Sequence, residues 1–431
     1  MIAAPVPTGS ESFEGGAIRM DRLYECCCGL DVHKQTVVAC LISPVAGVGQ
    51  TKTIRTFATM TDELDAMADW LAEAGCTHVA MESTGVYWKP IYNRLEGRFT
   101  LLVANAQHIK VMPGRKTDVK DCEWIADLLQ HGLLTASFIP NQAQRELRDL
   151  TRTRTTLIDE RSRTVLRLQK VLEDANIKLS GVATDIMGVS GRAMLAALVA
   201  GTTEPALLAE LAKGRLRAKR EQLERALTGR MNEHHRSLVG MHLSHIDFLD
   251  EQVDQLSAQI EERLRPFEAE LERLETIPGI KRRTAEVLAA EIGLDMSHFP
   301  TAGHLASWAG MCPGNHESAG KRKTGKTRKG SKWLRRALTE SGRAAARKKG
   351  CYPSLQYRRL VVRIGPNKAA VAVGHTLLVT VYYLLTRQDV YHDLTPAQLD
   401  VGLRARATKR ATQQLQALGY EVTLAPKTQA A

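Results

Sequence analysis

Aromatic residues are scarce in this chain, 5% of 431 positions, against 44% hydrophobic and 25% charged residues. Its core must be built from aliphatic side chains and thiols, and its length suits a globular protein of two or three domains. Cys-x-x-Cys pairs are absent: Cys26, Cys27 and Cys28 are consecutive in an expected strand, and Cys40, Cys76, Cys122, Cys312 and Cys351 are scattered. That pattern argues against zinc ligands and a disulfide framework, and for reduced core thiols. The chain does not open on a basic-then-apolar secretory segment; residues 1–22, rich in Ala, Pro, Gly and Ser, read as a disordered leader, and a cytoplasmic protein is expected. Long apolar runs are missing too, apart from Ala369–Leu385, about the shortest stretch that spans a bilayer. With Gly374 and His375 inside it, that run is expected to be a buried helix rather than a membrane anchor.

What the chain has in excess is positive charge. Lys and Arg number 59 against 47 acids, a formal net charge of +12. A polyanionic partner is favoured, although charge alone does not choose among DNA, RNA and a membrane surface.

Periodicity divides the chain. Tyr24–Leu41 reads as two strands broken at Asp31–Gln35, and Thr51–Ala58 as a third. Residues 61–74 switch to helical spacing, with Leu64, Met67, Trp70 and Leu71 on one side and a capping box expected from Thr59 and Asp62. Thr77–Met81, ending at Glu82, gives a fourth strand, Gly85–Leu95 a helix, Phe99–Ala104 a fifth strand and Asp118–Leu134 a helix. The order β-β-β-α-β-α-β-α is that of an RNase H type of fold, in which the first and fourth strands lie side by side.

The rest reads as helical. Asn141 to about Ile177 is a long basic arm carrying Arg154 and Arg161. Ile246, Leu249, Val253, Leu256 and Ile260 alternate steps of three and four, the seam of a coiled coil or a long antiparallel pair. Glu275–Ala285 holds a hydrophobic-Pro-Gly-hydrophobic turn like that of helix-hairpin-helix modules, whose helix start can hold a DNA phosphate. The expected division is a leader at 1–22, an α/β domain at 23–140, a helical coiled-coil region at 141–270, a mostly helical domain at 271–400 and a flexible tail at 401–431.

Four acids stand out. Asp31 and Glu82 end strand-like runs, and Asp118 and Asp121 are three apart, which puts both on one helix face. Carboxylates brought together at neutral pH need protonation or a cation. Mg²⁺ suits hard oxygen donors and assists phosphoryl transfer, so the four point to cutting of nucleic-acid phosphodiesters. Any one of them alone reads equally well as a cap or a solvated charge.

A second constellation follows Pro313. Between Lys321 and Arg336 there are nine basic residues and no acid: Lys321, Arg322, Lys323, Lys326, Arg328, Lys329, Lys332, Arg335 and Arg336. Interspersed glycines let the backbone approach a phosphate chain, and the cations would neutralise it. Ser318 lies at the edge of this loop, where an attacking hydroxyl would have its developing charge stabilised. Ser307 and Ser331 are serines too, and His316 is a conceivable base.

Together these motifs resemble the DEDD transposases of the insertion-sequence one-hundred-and-ten family, bridge-RNA-guided recombinases of bacterial mobile elements. Gly29-Leu-Asp31, Met81-Glu-Ser-Thr-Gly85 and Arg115–Trp124 look like the family's RuvC-like domain. Ile277-Pro-Gly-Ile280, Ala309–Gly314 and Ser318–Leu338 look like its transposase domain. The resemblance implies that Asp31, Glu82, Asp118 and Asp121 bind Mg²⁺ and that Ser318 forms a 5′-phosphoserine link during strand exchange. It also implies DNA and a noncoding guide RNA as partners, and a dimer or tetramer sharing active sites between subunits. Many members read Ser-Gly where Ala319 here separates Ser318 from Gly320.

Two rivals remain open on the residues alone. One is a metal-dependent nuclease or junction resolvase using water as nucleophile, which leaves the Ser318 loop unexplained. The other is a non-enzymatic RNA- or DNA-binding protein with structural acids.

Overall fold

The computed structural model describes residues 22–45, 49–83, 85–105, 121–314, 316–318, 320–324, 327, 329–393 and 408–424. Two compact units, Met1–Ile139 and Pro140–Ala431, divide the chain.

In the first unit, strands β1 (Cys27–Val32), β2 (Thr36–Val45), β3 (Gly49–Ala58), β4 (His78–Glu82) and β5 (Thr100–Ala104) form one sheet in the order β3-β2-β1-β4-β5. The β1–β2 and β2–β3 pairs are antiparallel, as short hairpin connections allow; β1–β4 and β4–β5 are parallel, joined through helices. The expected neighbourhood of the first and fourth strands is therefore present, with Leu30 opposite Met81. Central β1 is buried on both faces, and side-chain alternation sends its residues to two cores. Cys28 and Leu30 pack with Val79 and Met81 under helices α1 (Thr61–Glu73) and α2 (Trp88–Leu95), through Leu64, Met67, Leu71, Ile91 and Leu95. On the opposite face Cys27, Cys40 and Ala80 pack against Ile125, Ala126 and Leu129 of α3 (Asp121–Gln130). Edge strand β3 is largely exposed, with Lys52 and Arg55 along it, which discourages pairing with another chain.

One local expectation fails. Met60, not Thr59, is the residue before α1, and it makes no side-chain cap. The Thr59 hydroxyl instead donates to the Lys34 carbonyl at 3.1 Å, tying the end of β3 to the β1–β2 turn. A bond to the β1–β2 turn, 25 residues away in sequence, has displaced the capping box.

Among the described residues, the second unit is helical apart from one hairpin. Helix α4 (Gln142–Asp174) is followed by α5 (Leu179–Val182), α6 (Val189–Val199), α7 (Pro205–Glu210), α8 (Arg220–Leu227) and α9 (Glu233–Leu264). Then come α10 (Glu268–Glu275), α11 (Arg282–Ile292), α12 (Ala302–Trp308), β6 (His316–Ser318), β7 (Lys321–Thr324), α13 (Lys332–Arg347), α14 (Tyr352–Ile364) and α15 (Pro366–Arg387). Asn141 caps α4 by accepting from the Gln144 amide at 2.9 Å, which starts the helix where the sequence pattern begins. Helices α4 and α9 run antiparallel: Glu146 meets Arg263, Glu160 meets His245, and Asp174 meets His235. Ile246, Leu249, Val253 and Ile260 of the predicted seam are buried, with Leu256 half-buried.

Helix α15 is long and apolar enough to cross a membrane by length and composition, with 50% of its apolar window buried. Val373, Leu377 and Val381 lie in the core, and the small residues Gly342 and Gly374 let α13 and α15 touch backbone to backbone. All eight cysteines are free thiols.

Candidate active site

Asp31 and Glu82 occupy the positions just beyond the paired Leu30 and Met81, on neighbouring parallel strands. Each is half-buried. Nε2 of His33 lies 3.1 Å from Oδ2 of Asp31, a contact that alternation makes natural because residues two apart share a face.

The third acid arrives by close packing. Gly29 sits in β1 two residues before Asp31, and a β-carbon there would stand 2.3 Å from the Cys122 carbonyl oxygen and 2.4 Å from the Ala126 amide nitrogen. Such overlap is possible for no other residue, so Gly29 lets the backbone of α3 lie directly on the strand. Asp121, the first residue of α3, precedes Cys122 and is carried to the sheet with it. The Cys122 thiol feels this neighbourhood. Its hydrogen bond with Cys40 lowers its pKa, opposed by burial and, among smaller effects, by the charge of Asp31. Asp118 lies outside the described residues. Among the described residues, no three His, Cys, Asp or Glu side chains form a cluster able to hold a metal ion. The donor types suit Mg²⁺, because carboxylate oxygens are hard ligands.

In the second unit Ser318 is the last residue of β6 and pairs with Lys321, the first of β7. Gly320, just before β7, has φ +71°, a left-handed conformation suited to a tight hairpin. Lys321 is exposed; Arg322 and Lys323 follow it in β7; Lys329 is exposed at the loop's exit. Lys326 and Arg328 lie outside the described residues.

The remaining basic candidates are engaged within the fold. Arg154 is 2% exposed and its guanidinium donates to Glu286 at 2.6 Å, so it does not face solvent. Arg161 pairs with Asp250. Arg335 donates to the Gly310 carbonyl and to Thr327 Oγ1. Arg336 grips Asp159 and Glu340, and the neighbouring guanidinium holds the Asp159 carboxyl below the usual carboxylate range. Sequence reasoning had not singled out Glu291, whose carboxylate takes two hydrogen bonds from Arg152 and one from Ser331. Two acids, Glu286 and Glu291, inside the otherwise apolar stretch Ala285–Ile292 were its only trace in the sequence.

Asp31 and Glu82 thus lie side by side at the ends of β1 and β4 in the first unit, and β6 of the second unit ends at Ser318 beside the basic strand β7. Both regions match known proteins in sequence. Residues 28–177 match the family described as transposase, of the DEDD IS110 type, and residues 271–357 match the family described as transposase IS116/IS110/IS902. The chain is also similar to the transposase for insertion sequence element IS1111A of Coxiella burnetii (strain RSA 493 / Nine Mile phase I). The two are 32% identical over 124 residues, covering 28% of this chain and 34% of that protein. The match thus spans about a third of the relative's length.

Proposed function

The chain belongs to the IS110 family of insertion-sequence transposases, and from that membership we propose that it cuts and rejoins DNA with Ser318 as nucleophile. Asp31, Glu82, Asp118 and Asp121 would hold Mg²⁺ as its cofactor. The observation that carries the reading is the adjacency of Asp31 and Glu82 on β1 and β4, with α3 and Asp121 packed onto β1 at Gly29. The sheet order β3-β2-β1-β4-β5 supports a RuvC-like, RNase H type of fold for residues 23–140.

The chemistry that Mg²⁺ supplies when bound is neutralisation of the phosphate and of the oxygens that enter and leave it. The protein's own residues do the rest. His33 orients Asp31 through the Nε2–Oδ2 contact. The Ser318 hydroxyl oxygen attacks phosphorus and gives up its proton, which the departing 3′ oxygen takes up. The phosphorus–O3′ bond breaks with its electron pair, a free 3′ hydroxyl departs, and the 5′ phosphate stays on the serine. Attack by another strand's 3′ hydroxyl on the phosphoserine reverses these steps and rejoins the DNA. Lys321, Lys329 and their basic neighbours offset the charge of the phosphate chain.

The same reading extends to partners. A noncoding guide RNA, the element ends and the target DNA are the proposed nucleic acids. The antiparallel α4–α9 pair within residues 141–270 is the proposed coiled coil through which protomers form a dimer or tetramer. The transposase domain at 271–400 carries Ser318, and the site of action is the bacterial cytoplasm, at the nucleoid.

A denaturing-gel search for a covalent protein–DNA adduct tests the proposal, with purified protein, Mg²⁺, candidate RNA and element-junction DNA. An adduct present in wild type, lost in Ser318→Ala and lost in Asp31→Asn with nucleic-acid binding retained is the expected result. Cleavage without an adduct in either wild type or Ser318→Ala would make water the nucleophile and the protein a metal-dependent nuclease. Full activity in Asp31→Asn would remove the acids from the chemistry.

A further inference from the structure

Glu291 is 1% exposed, a depth at which a carboxylate persists only when paired. Arg152 meets it with two parallel hydrogen bonds, Nε to Oε1 at 2.7 Å and Nη2 to Oε2 at 2.9 Å. A third comes from the Ser331 hydroxyl, 2.9 Å from Oε2. Ser331 also caps α13, its hydroxyl accepting from the Leu334 amide at 3.2 Å. One small residue thus joins a buried carboxylate to the start of a helix.

That residue stands at the base of the β6–β7 hairpin. Just before it, Gly330 lies flat on the opposite leg of the stem: a β-carbon there would be 2.3 Å from the Ala309 carbonyl oxygen. Arg335, one turn into α13, donates to the Gly310 carbonyl and reaches Thr327 Oγ1 at 2.8 Å, and Thr327 pairs in turn with Pro313. Strands of three and four residues form too small a sheet to fix themselves in space. The stem must do it, and its exit is tied through Ser331 to Glu291.

We propose that Glu291 is a positioning residue for Ser318: through Ser331 it fixes the exit of the hairpin stem and so the place of the nucleophile against a bound phosphate. The inference rests on the reading of Ser318 as nucleophile. A buried ion pair adds little net stability over an apolar pair of equal volume, but its hydrogen bonds are directional. An apolar residue at 291 would fill the space without aiming Ser331. In-line attack on phosphorus is sensitive to about an ångström of misplacement, so loosening the stem is felt in rate rather than in binding.

The experiment uses the full chain with its RNA and junction DNA, and measures the first-order rate of adduct formation at saturating DNA together with DNA affinity by fluorescence anisotropy. Glu291→Gln keeps the shape and removes the charge. Ser331→Ala cuts the link while leaving the Arg152–Glu291 pair in place, and Ser331→Thr restores a hydroxyl. The expected result is adduct formation slowed about tenfold or more in Glu291→Gln and Ser331→Ala, affinity within about twofold of wild type, and recovery in Ser331→Thr. Thermal melts check folding; if Glu291→Gln melts below the assay temperature, Ser331→Ala decides. Wild-type rates in the folded variants would overturn the inference, as would equal losses of rate and affinity. A wild-type protein that forms no adduct, or a Ser318→Ala protein that still forms one, would bring down the reading of Ser318 itself. A Ser318-dependent adduct with undiminished Glu291→Gln rates would bring down the role of Glu291 alone.

Discussion

Gly29 and Cys122 are in contact through their main chains, with room at Gly29 for a hydrogen atom and nothing larger. The residue that admits the helix is two positions from Asp31, and the residue it admits is one position from Asp121. Gly29→Ala should therefore push α3 off the sheet, at a cost of about 1–3 kcal/mol in chemical denaturation. On the proposed function it should also abolish Mg²⁺-dependent cleavage, because α3 carries Asp121 away from Asp31 and Glu82. A variant with normal stability and normal cleavage would show that the helix can shift freely.

The Arg154–Glu286 pair is buried on both sides, so removing one partner strands the other's charge. Arg154→Met and Glu286→Leu should each lose roughly 3–5 kcal/mol of stability. The double variant Arg154→Met/Glu286→Leu should recover much of that loss, because no charge is left behind. Urea denaturation of all four proteins measures the coupling, and simple additivity would contradict it.

Arg335 holds both legs of the hairpin stem through Gly310 and Thr327. Lysine cannot reproduce a planar two-acceptor contact. Arg335→Lys should open the stem, seen as faster tryptic cleavage within residues 315–330 while cleavage elsewhere is unchanged. Equal digestion rates there would count against the clamp.

Burial pushes the thiols of Cys27 and Cys76 up to about 12 from an ordinary value of 9.0, and that of Cys28 well above 9.0. Unfolding frees them to ionise. Their contribution to stability is complete below pH 9 and is lost as pH rises from 9 towards 12, because the unfolded chain then binds fewer protons than the native one. Urea midpoints for the first unit should fall between pH 8.5 and about 10.5, more steeply than in Cys76→Ala, with these thiols unreactive to alkylation in native protein at pH 8. A flat profile would refute the assignment.

How much of this was legible depended on what each residue touches. Periodicity in β1, α1, β4 and α3 was readable because each buries one stripe or one run, and the pairing of β1 with β4 follows once that order is recognised. The start of α1 was not: Thr59 turned to Lys34, a partner distant in sequence. The arm of arginines carried a signal that charge obscured. From Leu147 through Thr151, Arg154, Ile158, Arg161, Val165 and Leu168 the spacing runs four, three, four, three, four, three, which is the seam of α4 against α9. Arg154 and Arg161 therefore belong to the inner stripe, where acids of α11 and α9 meet them. Glu291 could be found only in three dimensions, since Arg152 and Ser331 lie 139 and 40 residues away.

The pairing of those arginines also sets how the protein should answer to ionic strength. A cation displaces a condensed counterion from DNA or RNA only if it is not already neutralised by a carboxylate, and each displaced ion steepens the fall of affinity with salt. Arg152, Arg154, Arg161 and Arg336 face Glu291, Glu286, Asp250 and Asp159 instead. On the proposed function, the salt sensitivity of nucleic-acid binding should be set by the exposed cations, such as Arg163, Arg167 and Lys170 on α4 and Lys321 and Lys329 on the hairpin. Binding should weaken with salt less steeply than the sequence's stock of Lys and Arg suggests.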